Sequence, residues 1–481
     1  MKFTLINTYF KDDPYQASLP PLGLGYIASF LKREMLEVEV NIAFDYDELL
    51  SDKPDIIGIS SATENFDDAI ILAKKAKEKF DVPIIVGGLH ITALPHTLPD
   101  SIDIGVLGEG EEVTLQLMRL AKKNQLKPEF LKDIQGICYH DNDKIAVNGS
   151  TLLIENLDDL PLLDRDLFQN KWRMKNNEQV HLISSRGCPY KCTFCISSKS
   201  WFKLRCFSPE YVINELEYVL RKYHPEEIYF FDDLFIANSK RFKTIAKMIK
   251  DKNLHKGITF RCYSRVNLMT DEMCEIFKEL NFEYIDIGFE SNSQKILNYY
   301  QKTDATPELN QKAVDMAAKY NISLGGNFIA GAPIETYEDM LETLNFIERN
   351  QDKLDRSGLG PLQPLPGTPI WDYALEKGIV SENMRWRNLH YDFQNFDVNQ
   401  YPILAEKVTK EEFYNVLKLS HYLNGKINWV GFNKKIYYEL NVKNEKMKNL
   451  ETELREIKKS RTYKFANILS RLKKLVIKNT K

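Results

Sequence analysis

At 481 residues the chain is too long for one hydrophobic core and reads as roughly three domains. Apolar residues make up 43% and charged residues 28%, as in an ordinary soluble globular protein, and a net charge of −3 excludes nucleic acid as the main partner. Residues 1–20 lack an export signal, no apolar run is long enough to span a bilayer, and the odd cysteine count of seven fits a reducing, cytoplasmic setting rather than a disulfide framework.

Over residues 1–125 short β-branched runs appear at "KFTLIN" (2–7), "VEVNIAF" (38–44), "PDIIGIS" (54–60), "VPIIVGG" (82–88) and "IDIGVLG" (102–108). Helical patterns separate several of them, as in "ENFDDAIILAKKAKEKF" (64–80) and "EEVTLQLMRLAKK" (111–123). Near-continuous apolar strands need both sheet faces covered, so an α/β, doubly wound, Rossmann-like parallel sheet is expected. Ligands of such sheets sit beyond the carboxyl ends of the strands. The candidates there are Ser60, Ser61, Gly87, Gly88, Gly108, Glu109 and Gly110, since glycine at a strand end lets a ligand approach the backbone.

Residues 126–180 read as a connecting segment with a small hairpin at 136–147. A second strand–helix alternation follows over 181–385, with strands at "HLISSR" (181–186), "EIYFFDD" (227–233), "ITFRCYS" (258–264), "EYIDIGFE" (283–290), "ISLGGNFIAG" (322–331) and "SGLGPLQPL" (357–365). Six such units predict a partial (β/α)6 barrel of the TIM type, with its chemistry just past the strand C-termini. A helical extension is expected over 386–435. Over 436–481, Leu440, Met447, Leu450, Leu454 and Ile457 form a short coiled-coil-like seam ahead of a basic tail. Residues 458–481 carry nine Lys or Arg and no acid, with Phe465, Ile468, Leu469, Leu472, Leu475 and Val476 on one helical face. Such a helix suits peripheral contact with an anionic membrane face, and equally a solvated or partner-docking tail.

Three of the cysteines, Cys188, Cys192 and Cys195, fall in "SRGCPYKCTFC" (185–195). Structural zinc wants four ligands, usually as two pairs, and no second Cys or His pair lies nearby downstream. A cubane iron–sulfur cluster held by three thiolates remains, with one iron left open.

C-x3-C-x2-C with an aromatic residue before the last cysteine, after the first barrel strand, resembles the signature of the radical S-adenosylmethionine (SAM) enzymes. The resemblance implies a [4Fe-4S] cluster whose open iron is chelated by SAM, reductive cleavage to a 5′-deoxyadenosyl radical, and an electron donor such as flavodoxin or ferredoxin. It extends to "FFDDLF" (230–235), "YSRVNLMTDEM" (263–273), "IDIGFESNSQKIL" (285–297), "NFIAGAPIETYEDM" (327–340) and "LQPLPGTPIWDYA" (362–374). It places Phe194 on the adenine, Asp232 and Asp233 near the methionine end, and Arg265 on the cofactor carboxylate. Glu290 would reach the ribose, and Gly331 and Pro333 would pass close to the adenine. The plainer roles are helix capping for Asp233 or Glu290 and pairing with a barrel carboxylate for Arg265.

"LPPLGLGYIASFLKRE" (19–34) and "GGLHITALPHTLPDSIDIGVLGEGEE" (87–112) resemble the cobalamin-binding module found ahead of the radical domain in one branch of that superfamily. The loop "NTYFKDDPYQ" (7–16) contains no histidine, so the cobalt-ligating motif of methionine-synthase-type modules is missing. His90 is expected to orient the corrin or cap a helix. The two resemblances together imply methylation of an unactivated carbon. Ring formation, rearrangement or oxidation with the same cofactors is the alternative, and a non-catalytic sensor of cobalamin and cluster is another. The tail segment 453–475 resembles tails on bacterial glycosyltransferases and methyltransferases of surface-polysaccharide assembly, which implies a lipid-linked or glycan substrate; a peptide or other small molecule is equally open.

Overall fold

The structure, a computed structural model, describes residues 1–10, 19–149, 153–168, 179–197, 203–392 and 396–424. The coiled-coil-like seam and the basic tail lie outside the described residues.

The front sheet is built from β1 (Lys2–Asn7), β2 (Glu39–Ala43), β3 (Ile56–Ser60), β4 (Ile84–Gly87) and β5 (Ile104–Val106), in the order β2-β1-β3-β4-β5 and all parallel. Ile and Val dominate these strands because helices cover both faces: Leu22–Glu34 and Glu111–Lys122 on one side, Phe66–Phe80 on the other. The register puts Asn7 beside Ser60 and Ser60 beside Gly87, so their carboxyl ends form one edge.

The hairpin expected in the connecting segment belongs to this sheet. Strands β6 (Ile137–Asp141) and β7 (Lys144–Asn148) continue it antiparallel beyond β5. Ile137, Cys138 and Tyr139 are buried, so the hairpin completes the core and covers what would otherwise be an open edge at β5.

The second sheet has six parallel strands in the order β15-β14-β13-β12-β11-β8. They are β8 (Gln179–Leu182), β11 (Glu227–Phe230), β12 (Thr259–Ser264), β13 (Phe282–Glu290), β14 (Ser323–Ala330) and β15 (Arg356–Pro361). The run expected as one strand over 181–186 is divided: after β8 the chain leaves the barrel, and β9 (Ser185–Arg186) pairs antiparallel with β10 (Arg205–Cys206). The cysteine loop is therefore the tip of a small ribbon standing at the barrel mouth.

Barrel helices start at side-chain caps supplied by Ser208, Asn238, Thr270, Thr306, Thr336 and Thr368, each accepting a backbone N–H of the first turn. Such caps contribute about 1 kcal/mol each and fix where each strand-to-helix loop ends. Past the barrel, the helix Lys410–Leu423 closes the exposed edge, and the Ser357 N–H donates to Asn424 Oδ1 at 2.9 Å. Trp371, Trp386 and Leu389 share a core with the helix Phe66–Phe80, so apolar packing runs from the front sheet into the barrel loops.

Candidate active site

The cysteine loop leaves β9 through Gly187, whose φ of 86° lies in the left-handed region. Cys192 is buried and Cys188 and Cys195 are half-buried. The Cys195 N–H donates to Cys192 O at 3.2 Å, and the Thr193 N–H donates to Tyr300 O at 3.1 Å, which anchors the loop to the end of the helix Gln294–Tyr299. Burial, with added repulsion from Asp233 and the other two thiols, pushes the Cys188 thiol up to about 11. Three soft donors that repel one another as thiolates suit a cluster whose iron supplies the missing positive charge. Among the described residues no three His, Cys, Asp or Glu side chains meet at single-ion spacing. A cubane, which binds each thiolate to a different iron, needs no such convergence.

Around the loop the other barrel ends are already organised. Asp232 is fully buried and accepts from the Ser184 N–H at 3.1 Å, the Ser184 hydroxyl at 2.9 Å and the Ser185 hydroxyl, so it locks the end of β8 into the ribbon. Asp233 lies at the mouth and accepts from Ser197 Oγ at 2.9 Å, and desolvation by the surrounding protein raises its pKa against that hydrogen bond. Glu290 sits at a bulge in β13 with φ of 63°, and one carboxylate oxygen accepts from the buried Lys302 Nζ at 2.8 Å. Arg265 follows β12 and gives Nε and Nη2 to Asp304, while Nη1 lies 3.6 Å from Cys192 Sγ. Gly331, with φ of 106°, and Ala332 both donate their N–H groups to buried Glu335. Phe194 meets the Tyr300 ring edge-on at 5.1 Å.

At the carboxyl edge of the front sheet a slot of about 220 Å³ opens between β1, β3, β4 and β5 and the helices Leu22–Glu34 and Glu111–Lys122. Ser60, Gly87, Gly88, Gly108, Glu109 and Gly110 line it, alongside apolar side chains. Gly88 has φ of 113°, and a Cβ there would collide with the Ser61 carbonyl; Ser61 lies buried behind it with its N–H on Gly87 O. His90 is placed elsewhere. Its imidazole is fully buried against Phe66, 3.8 Å between centroids, and edge-on to Trp386, with Thr97 Oγ1 at 3.2 Å from Nε2. Burial lowers its pKa to about 3, so the ring is neutral and packs the front sheet against the C-terminal extension.

The "Radical SAM superfamily" model matches residues 182–347 and the "B12 binding domain" model residues 14–118. An uncharacterized methyltransferase of Pyrococcus horikoshii is 33% identical over 426 residues, 85% of this chain and 89% of that protein. The chain belongs to the cobalamin-dependent radical SAM enzymes. It is of the methyltransferase type, and its cofactors are the iron–sulfur cluster, SAM and cobalamin. The hopanoid C-2 methylase of Rhodopseudomonas palustris is 25% identical over 399 residues, 81% of this chain and 70% of that protein. In fold, the chain resembles the radical SAM methyltransferase TsrM of Kitasatospora setae, solved with cobalamin and cluster, at a TM-score of 0.67 and 13% identity over 88% of each chain.

The cobalamin domain and the radical SAM barrel are joined by buried charges that sequence reasoning missed. Glu109, expected at the cofactor, has its carboxylate filled by Arg205 Nη1 and Nη2 at 2.8 Å, Arg186 Nη1 at 2.9 Å and the Ile154 N–H at 2.7 Å. Glu111 accepts from Arg186 Nη2 at 2.6 Å. Both arginines stand on the ribbon that carries the cysteine loop, and Glu109 follows the slot-lining Gly108. Despite burial, the two guanidinium groups hold the Glu109 carboxyl below its ordinary range. Lys302, Asp304 and Tyr300, which orient Glu290, Arg265 and the cysteine loop, were equally invisible: they form a short polar turn between two helices, with no motif of their own.

Proposed function

We propose that the enzyme transfers a methyl group to an unactivated carbon of a lipid-linked glycan precursor admitted between its two domains. The observation that carries this reading is the meeting of two carboxyl edges. A Cβ at Gly367, in the loop after β15, would lie 3.3 Å from Ala93 of the cobalamin domain and 3.3 Å from Ile196 of the cysteine loop. The loop after β15 thus touches both the cobalamin domain and the cysteine loop. When bound, the cluster and SAM supply a hydrogen-abstracting 5′-deoxyadenosyl radical and cobalamin supplies the methyl carrier.

The chain's own residues bind and orient. Cys188, Cys192 and Cys195 hold the cluster. Phe194 offers a ring face to the adenine, and the buried Tyr300 hydroxyl beside it, with no hydrogen-bond partner among the described residues, offers a polar atom. Glu290, fixed through one oxygen by Lys302, turns the other to the ribose hydroxyls. Asp233 would accept from the cofactor's amino group, and the end of β14 at Gly331 and Pro333 would pass close to the adenine, with Phe413 of the helix Lys410–Leu423 packed behind Gly331. In the front domain the apolar slot takes a flat apolar group such as the benzimidazole of cobalamin, with Gly87 and Gly88 letting it reach the backbone. A flavodoxin- or ferredoxin-type protein delivers the electron. The lipid-linked class is supported by the basic, one-sided apolar tail 458–481, which suits an anionic membrane surface.

The test is anaerobic turnover with methyl-deuterated SAM and lipid-linked acceptors. The reading requires a product heavier by one methylene carrying the deuterium label, and liposome binding that is lost on removing residues 458–481. An oxidised or cyclised product with no label would replace methylation with another radical outcome. Absence of 5′-deoxyadenosine would point to a sensor. Equal turnover of soluble acceptors, with partitioning unaffected by tail removal, would refute the lipid-linked class.

A further inference from the structure

Arg265 is 6% exposed, and its guanidinium carbon lies 3.8 Å from the centroid of the Tyr190 ring. That ring is itself held, its hydroxyl accepting from Asn267 Nδ2 at 3.3 Å. Nε donates to both Asp304 oxygens, at 2.9 and 3.1 Å, and Nη2 donates to Asp304 as well. The remaining arm, Nη1, points at Cys192 Sγ from 3.6 Å. The pair is lopsided: the Arg265 side chain is 7% exposed and that of Asp304 29%, so the positive charge is buried against the thiol and the negative charge sits toward the rim.

We propose that Arg265 and Asp304 form a charge pair that sets the reduction potential of the cluster through Cys192. A guanidinium N–H directed at a thiolate sulfur withdraws negative charge from it, and hydrogen bonds to cluster sulfurs and local charge are among the protein's means of setting such potentials. Reduction adds one electron, delivered by a low-potential one-electron donor, to a cluster that is already anionic with its thiolates; no bond or proton changes place. Arg265 therefore favours the reduced state and Asp304 opposes it, the longer path and greater exposure weakening the second effect. Both are positioning residues that act on the cluster through Cys192. The pair depends on the cysteine loop alone and is independent of the substrate and of methyl transfer.

The experiment is an EPR-monitored redox titration of the full chain, anaerobically reconstituted and free of SAM, with iron and sulfide content measured in parallel. At a fixed poise Arg265→Gln is expected to lower the reduced-to-oxidised ratio at least tenfold, equivalent to 59 mV for a one-electron couple. Asp304→Asn, which keeps an oxygen for Nε but removes the charge, is expected to raise the ratio, and the double variant to fall between the two. Opposite signs are what a purely structural role would not produce. Shifts of the same sign, or an unchanged ratio in both single variants, overturn the proposal. Should Arg265→Gln fail to hold iron, Asp304→Asn decides alone: a ratio equal to or below that of the unaltered protein overturns it.

Discussion

Replacing Gly23 by leucine tests the corrin slot without touching the barrel. Gly23 lies in the first turn of the helix Leu22–Glu34 and lines the slot, and a Cβ built there meets no protein atom within 4 Å. Allowing each carbon roughly the 30 Å³ that a water molecule occupies in the liquid, four side-chain carbons take up about half of the 220 Å³ available. Four displaced carbon positions at about 0.8 kcal/mol each remove about 3 kcal/mol of apolar burial, a weakening of cobalamin binding by roughly 200-fold. The fold should not suffer, because leaving glycine in a helix gains up to about 0.8 kcal/mol. The assay is equilibrium cobalamin titration followed through the corrin absorption, alongside denaturant unfolding and iron content. A variant that keeps its stability and its cluster but loses cobalamin supports the reasoning; one that binds cobalamin with unaltered affinity refutes the slot as the binding site.

Glu109→Gln should lower the unfolding free energy by about 3–5 kcal/mol, since it removes one partner from a buried charge network, and urea unfolding that matches the unaltered protein would show the network to be unimportant for joining the domains. Glu335 gives a pH signature: burial pushes its carboxyl up to about 7 from an ordinary 4.5, even with two N–H donors opposing the shift. The folded chain then holds this proton to higher pH than the unfolded chain, so the stability contribution is complete below the unfolded value and is lost as pH rises through about 7. Relative to Glu335→Gln, the unaltered protein should lose about 2–3 kcal/mol between pH 5 and pH 8 in urea unfolding; a constant difference would mean that Glu335 is not held protonated.

The parts of the fold that were legible in the sequence are those whose signal is local. Continuous apolar runs such as "PDIIGIS" announce strands covered on both faces, and they appear in the parallel sheets. Three thiols within eight positions single out one loop because ligand spacing is short-range, and that loop follows β9 at the barrel mouth. The joining of β6 and β7 to the front sheet was not legible, because pairing with β5 depends on which edge is left open in three dimensions. For the same reason the roles of Arg186, Arg205, Lys302 and Asp304 could not be read. Glu109 lies 96 positions from Arg205 in the chain, and Asp304 lies 39 from Arg265. A charged residue on a polar loop looks the same in sequence whether solvent or a buried ion meets it. His90 shows what a motif leaves out: its sequence neighbours point to the cofactor, and the aromatic rings of Phe66 and Trp386 that pack against it come from distant parts of the chain.

The central claim is a cubane bound at three corners by Cys188, Cys192 and Cys195, with one iron left for SAM. Mössbauer spectroscopy of the full chain reconstituted with iron-57, before and after SAM, tests it most directly. The account predicts a four-iron cluster in which one iron changes its spectrum when SAM is added and the other three do not. Four irons that respond alike, or a spectrum without a cubane cluster, would contradict it.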